Sequence, residues 1–321
     1  MQSVSAKTTF VPNTTIFRYI FSLHHIESYW LTYMVTNVKT LRGVRRRRLL
    51  LVSLMFVVLF AFMSVFVLAM DATDVVHVSS EAELVNAVNN ASKPTIIILD
   101  NDITLLDNPL VISDEKDITL MSEGNWKFFK LIGANDIPDQ PTVSVGSGGG
   151  VLRLKGITIT HIEGVSGTGV RVNFDGTLIM LGGVISDNIA SYVDGGGVSN
   201  SGTFQMLGGT ISNNRAQNGG GVYNNGNFGL LGGKISNNQV SGGGGGVSNS
   251  GIFQMFGGTI SNNYASTWNV GGGGVSNDGN FSMSGGKITC NTAGYEGRHY
   301  HSGVPSGYHY IGRGGGVYIR C

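Results

Sequence analysis

The sequence predicts an all-β protein, a right-handed parallel β-helix whose three-strand coils are 24–28 residues long. Three observations lead to this fold class: apolar residues recur in columns at that period, glycines cluster at fixed places in each repeat, and asparagines recur at two corners. All 50 glycines except Gly43 lie from Gly124 onward. Long-period self-similarity is typical of a solenoid, in which each coil buries its apolar face against its neighbours.

Four apolar columns define the three strands of each coil. The valines of the first column recur at steps of 28, 24, 25 and 28 residues. The second and third columns lie two residues apart, so both are predicted to face inward while Gln205, Gly229, Gln254 and Ser282 face outward. A Gly-Gly pair then turns the chain into the strand with the isoleucine column. The columns are Val170, Val198, Val222, Val247 and Val275; Leu178, Phe204, Phe228, Phe253 and Phe281; Met180, Met206, Leu230, Met255 and Met283; and Ile185, Ile211, Ile235, Ile260 and Ile288.

Asparagines recur three residues after the column isoleucine and two residues after the column valine. Stacked at one corner, each side-chain amide can donate to the coil on one side and accept from the coil on the other, which satisfies turn backbone that sheet pairing leaves free. We therefore predict two structural ladders; a ligand row for ice, glycan or a cation is the alternative. The ladder residues are Asn188, Asn214, Asn238, Asn263 and Asn291 at one corner, and Asn200, Asn224, Asn249 and Asn277 at the other.

An export segment precedes the repeats. Residues 49–70 are apolar except for Ser53 and Ser64, and they follow a basic run at Arg45 to Arg48. This charge distribution sends the following chain outward, so we expect an extracellular or cell-surface location. Ala69 favours a cleaved signal peptide, whereas the length of the segment favours a transmembrane anchor, and both alternatives stay open. Residues 1–48 are interpreted as a cytoplasmic or upstream segment.

The region between this segment and the repeats predicts a cap. Residues 79–91 read as a short amphipathic helix with Ser79 or Ser80 as N-cap and with Leu84, Val85 and Val88 on its apolar face. Residues 74–141 are thus the cap helix and first coils, and residues 142–321 are the repeat β-helix, which we expect to be C-terminally incomplete because Cys321 comes one strand into a coil. The predicted first strands are Thr95 to Leu99, Ile103 to Leu106, Leu110 to Ile112 and Ile118 to Leu120.

From about residue 74 onward, the cap helix, the coil length and the asparagine ladder resemble the pectin lyase-like right-handed β-helix superfamily. The segments Gly195 to Val198 and Ile211 to Asn214 are similar to the GGA-I and F-x-x-N repeats of polymorphic outer-membrane adhesins, and to repeat-rich surface proteins. The resemblance implies a β-helix exposed at a cell surface. Enzymes of this fold cleave polysaccharides.

The carboxylates beyond residue 141 do not predict a catalytic site. A glycosidase needs converging carboxylates, and a lyase needs clustered acids for calcium together with a basic residue. The basic residues Arg171, Arg215 and Arg298 share no predicted face with the acids. We predict that the protein is not an enzyme and carries no cofactor or metal. The acids are scattered over Glu163, Asp175, Asp187, Asp194, Asp278 and Glu296.

One insertion interrupts the repeat. The Gly-Gly-Gly-Val that follows Val275 ends at Val317, 42 residues later. An inserted loop rich in Tyr and His can stack on sugar rings, so it is the candidate recognition loop; metal coordination by His299 and His301, or a merely tolerated insertion, are the alternatives. Its candidate residues are Tyr295, His299, Tyr300, His301, Tyr308, His309 and Tyr310.

The composition limits the partners. A net charge of +1 with 13% charged residues argues against nucleic-acid binding, which requires concentrated Lys and Arg. The predicted function is a non-catalytic, adhesin-like surface protein whose partner is an extracellular glycan or another surface protein, with membrane attachment through residues 49–70 if that segment is uncleaved. A polysaccharide lyase or glycoside hydrolase with degenerate or missing active coils, and a structural surface element, are the alternatives.

Overall fold

The computed structural model describes residues 73–106, 108–113, 115–122, 128–134, 137–146, 148–266 and 271–294, together with the backbone of 300–301 and 317–319. These residues form a right-handed parallel β-solenoid of about seven turns with one helix, which confirms the predicted fold class. The predicted export segment 49–70 lies outside the described residues. Within the described part of the chain, no helix is both long and apolar enough to cross a membrane.

Three long sheets, A, B and C, are each visited once per coil, and a fourth short sheet, D, joins them. Sheet A contains β1 (Asp74–Val78), β2 (Thr95–Leu99), β5 (Asp117–Ser122), β8 (Val151–Lys155), β11 (Thr177–Met180), β14 (Thr203–Met206), β18 (Asn227–Leu230), β22 (Ile252–Met255) and β26 (Asn280–Met283). Sheet B contains β3 (Ile103–Leu105), β6 (Lys130–Gly133), β9 (Thr158–His161), β12 (Val184–Ser186), β15 (Thr210–Ser212), β19 (Lys234–Ser236), β23 (Thr259–Ser261) and β27 (Lys287–Thr289). Sheet C contains β4 (Leu110–Ile112), β7 (Val143–Val145), β10 (Val170–Val172), β13 (Val198–Asn200), β17 (Val222–Asn224), β21 (Val247–Asn249), β25 (Val275–Asn277) and β30 (Val317–Ile319). Sheet D contains β16 (Arg215–Ala216), β20 (Gln239–Val240), β24 (Tyr264–Ala265), β28 (Thr292–Ala293) and β29 (Tyr300–His301).

The strand register aligns the predicted columns. Phe204 pairs with Phe228, and Phe228 pairs with Phe253, so identical side chains stack in the core. The ring centroids are 4.7 Å apart in the first pair and 4.8 Å in the second, with nearly parallel planes. The neighbouring column of methionines is less buried at its last position, where Met283 is 41% exposed, because β26 is the last strand of sheet A among the described residues.

Helix α1 (Glu81–Asn90) packs on the first coil. Its N-cap is Ser80, whose side chain accepts a hydrogen bond from the backbone N–H of Glu83. Leu84 and Val88 are buried in the common core, but Val85, which was predicted on the apolar face, is 36% exposed. The ammonium group of Lys116 donates to the carbonyls of Asn89 and Ala91, so a side chain of the second coil closes the C-terminal end of the helix.

The first strands match the prediction with two differences. Strand β3 ends at Leu105 rather than Leu106, because Leu106 turns outward, is 62% exposed and donates its backbone N–H to Glu81. Strand β5 runs from Asp117 to Ser122, longer than predicted, because it pairs with β2 on one side and β8 on the other.

Sheet D was not predicted, and it explains the glycine triplets. The middle glycine of each triplet lies directly against the backbone of sheet D: a Cβ at Gly220 would be 2.8 Å from the carbonyl oxygen of Gln239, and one at Gly273 only 2.1 Å from that of Thr292. Behind this contact, Val240, Ala265 and Ala293 form a small second core. Only glycine permits so close an approach of two backbone segments.

Both asparagine sets form continuous hydrogen-bonded ladders. At the first corner the side-chain amide of Asn214 donates to Asn238 at 3.0 Å, and Asn238 donates to Asn263 at 2.9 Å. At the second corner Asn224 donates to Asn249 at 2.6 Å. All nine side chains are at most 4% exposed, which leaves no accessible surface for a ligand row on them.

Candidate functional site

The predicted recognition loop lies almost wholly outside the described residues. This applies to Tyr295, His299, Tyr308, His309 and Tyr310. The backbone of Tyr300 and His301 forms β29, which pairs antiparallel with β28 at the edge of sheet D. The recognition role of the loop therefore stays a prediction.

The scattered carboxylates have structural partners in turns. The Asp175 carboxylate accepts the backbone N–H of Gly148 at 2.9 Å, and Asp194 accepts the backbone and side-chain N–H groups of Asn218, both at 3.0 Å. Glu163, Asp187 and Asp278 are exposed and lie in different turns. Across the described ranges, no group of three His, Cys, Asp or Glu side chains is placed to hold a metal ion.

The outer face of sheet A carries a depression in the middle of the regular coils. We call it the Gly229 depression; its volume is about 210 Å³. It opens outward between the outward-facing side chains of β14 and β22, with β18 as its floor. The outward residues that line it are Thr203, Gln205, Asn227, Gly229, Leu231, Ile252, Gln254 and Phe256.

The depression exists because one outward column lacks a side chain. Register places Gly229 between Gln205 and Gln254, so two glutamines flank a position without a Cβ. A Cβ at Gly229 would touch only a terminal methyl group of Leu231, at 3.4 Å, and the residue does not have a positive φ. Neither the backbone conformation nor close packing therefore requires glycine here, in contrast to Gly220 and Gly273.

An exposed apolar ridge bounds one side of this face. It consists of the residues that directly precede the Gly-Gly corner in four successive coils, where the chain leaves sheet A. Four aligned apolar side chains form an exposed patch, and exposed apolar patches often mark a binding surface. The ridge residues are Leu181, Leu207, Leu231 and Phe256, which are 38, 44, 46 and 54% exposed.

The polar groups of the depression are uncharged and available. No hydrogen bond within the described part of the chain engages the side-chain amides of Gln205 or Gln254. Each amide offers both donors and an acceptor. With Phe256 and Ile252 beside them, the surface combines amide groups with an aromatic ring and aliphatic side chains, as ligand sites in proteins commonly do.

A second polar cluster is buried at the start of the first ladder. The ring Nδ1 of His161 lies 2.9 Å from the Oδ1 of Asn188, and its Nε2 lies 3.1 Å from the backbone carbonyl of Gln140. Both neighbours are acceptors, because the Asn188 amide nitrogen already donates to Asn214. A neutral imidazole has one N–H and satisfies only one of them. The nearby ionisable groups are Asp139 and Arg171, which contact each other.

The state of His161 should make stability depend on pH. Burial lowers the pKa of His161 below its usual 6.5, while hydrogen bonds to Asn188 and Gln140 oppose this shift. A histidine with a lowered folded-state pKa stabilises the fold above its unfolded-state pKa and loses that contribution as pH falls from about 6.5 towards the lower folded-state pKa. We expect the denaturation midpoint to drop between pH 7.5 and 5.5, and to drop less in His161→Gln. An equal drop in both proteins would contradict this.

The sequence singled out neither Gly229 nor His161 as part of a site. Gly229 was predicted to face outward, and the signal for its depression was the single glycine between two glutamines of one column. His161 belongs to the coil before Asn188, where the first asparagine ladder begins. No family model, curated protein or solved structure matches the chain.

Proposed function

We propose that this protein is a non-catalytic, extracellular or cell-surface β-helix that binds an extended glycan along the outer face of sheet A. The observation that carries this proposal is the apolar ridge beside the unpaired amides of Gln205 and Gln254. Coils repeat every ~4.8 Å, so equivalent positions recur along the solenoid and suit a polymer of repeated units. An aromatic side chain on this face can stack on a sugar ring, and the amide groups can form hydrogen bonds with its hydroxyls.

The proposed location and family rest on separate features. The basic run and apolar segment at residues 45–70 support export, with the segment acting as a signal peptide or as a membrane anchor. The cap helix and the asparagine ladders support a relationship to the pectin lyase-like β-helix superfamily, and the repeat motifs support adhesin-like behaviour. The candidate recognition loop after Asn291 would add a second contact region to such a protein.

A glycan array with the purified full chain in mild detergent tests this function. We expect binding to polysaccharides or long oligosaccharides, with no shortening of the bound polymer after prolonged incubation. A variant that replaces two ridge residues, Leu207→Ser with Leu231→Ser, should bind less while its thermal transition stays close to that of the native protein. Cleavage of any bound polymer would instead favour the lyase or hydrolase alternative, and absence of all glycan binding would overturn the proposal.

A further inference from the structure

We propose that the Gly229 depression is a subsite for one uncharged, pyranose-sized ring, so that the polymer recognised by sheet A is a neutral polysaccharide. This inference rests on the proposed function and narrows its substrate class. It also assigns Gly229 as the residue whose missing side chain creates the specificity.

The size of the depression suits a single ring. Its volume is about 210 Å³, below the roughly 300–1,000 Å³ of pockets that enclose drug-sized ligands. It is open to solvent on the outer face, so the rest of a chain can continue across the neighbouring coils in either direction. An open subsite on a regular surface holds one unit of a polymer and leaves the ends free.

The charges argue against an anionic ring. None of the lining side chains is ionisable. On the outer face of sheet A, Arg153 lies in β8 and is paired with Asp117, and Lys155 follows it at the end of that strand, which is two coils before β14 and four coils before β22. Lys234 lies on sheet B, beyond the Gly-Gly corner and the ridge. A carboxylate or sulfate in the depression would lose water without gaining a counter-charge, which is costly.

The polar groups suit hydroxyls at both edges of a ring. Gln205 and Gln254 are two coils apart, about 9.6 Å at ~4.8 Å per coil, with Gly229 between them. A ring seated over Gly229 meets an amide on each side, and each amide can both donate to and accept from a hydroxyl. Phe256 and Ile252, 54 and 43% exposed, offer an apolar surface to the C–H groups of the ring.

The test fills the depression with the residue that the repeat itself supplies. Gly229→Gln places a third glutamine between Gln205 and Gln254, at a position where a Cβ meets no backbone. Ser282→Gln adds the same side chain to the same column in β26, outside the depression, and is the matched control. Binding of the full chain to galactomannan, dextran and polygalacturonic acid is measured by affinity electrophoresis, with the thermal transition recorded for each variant.

We expect the native protein to bind a neutral polymer and not polygalacturonic acid. Gly229→Gln should reduce the affinity for the neutral polymer about 10-fold or more, because at least one amide-to-hydroxyl contact and the ring contact are lost. Ser282→Gln should leave that affinity unchanged. If Gly229→Gln does not fold, Phe256→Ser, which installs the residue found at the equivalent position of the next coil, should weaken binding without filling the depression. Neutral-polymer binding that both site variants retain, or binding to polygalacturonic acid alone, overturns this inference but not the proposed function. Absence of binding to all three polymers and to the array overturns both.

Discussion

Replacement of Asn238 by Ala should lower the free energy of unfolding by about 4 kcal/mol, because several buried polar groups then lose their partners at once, each at a cost of about 1–3 kcal/mol. The Asn238 side chain has no exposed surface. Its amide nitrogen donates to the carbonyl of Ile211 at 3.0 Å and to Asn263 at 2.9 Å, and its Oδ1 accepts the backbone and side-chain N–H groups of Asn214, both at 3.0 Å. Urea denaturation followed by circular dichroism measures the change.

The neighbouring residue provides the control for this ladder variant. Asn237 is exposed and has a φ of 58°, in the left-handed region that glycine occupies without strain. Asn237→Gly removes an amide from the same corner without touching the ladder, and its effect should be within about 0.5 kcal/mol. Equal destabilisation by the two substitutions would show that the corner, rather than the ladder, supplies the stability.

The columns and ladders could be predicted because a solenoid repeats its environment in every coil. The phenylalanine at 204, 228 and 253 meets the same neighbours each time, so the same residue type recurs and the period is visible. Sheet D could not be found in this way. Its strands have two residues each, for example Gln239–Val240, so each coil shows only one small buried residue there, such as Val240 or Ala265, and one position does not display the alternation that predicts a strand.

The candidate site was less predictable because it depends on a departure from the repeat. A depression at Gly229 requires both flanking coils to carry long side chains and the backbone to tolerate a Cβ, and the second condition is visible only in three dimensions. The exposure of Val85 and the outward turn of Leu106 likewise depend on where α1 meets the first coil. The tertiary packing decides such positions, and the hydrophobic pattern alone does not.

Replacement of Phe228 by Ala should destabilise the protein by about 3–5 kcal/mol, the usual cost of truncating a fully buried phenylalanine. The ring is only 2% exposed and lies between Phe204 and Phe253 in a parallel stack, so its removal leaves a cavity that both neighbouring rings border. The coils above and below are held apart by continuous backbone hydrogen bonds and cannot collapse into that space. Phe228→Leu keeps most of the side-chain volume but loses the aromatic stacking, which contributes about 0.5–1.5 kcal/mol per pair. Its stability should therefore lie between that of the native protein and that of Phe228→Ala.

The exposed ridge supplies the matched control for the core substitution. Phe256 is 54% exposed on the outer face of sheet A, directly after β22, so Phe256→Ala removes the same atoms without opening a cavity. Its effect on the free energy of unfolding should be within the small range expected for a surface substitution, about 0.5 kcal/mol. A loss at Phe256 as large as that at Phe228 would mean that the outer aromatic ring is part of the packed structure, and it would remove Phe256 from the surface available to a ligand.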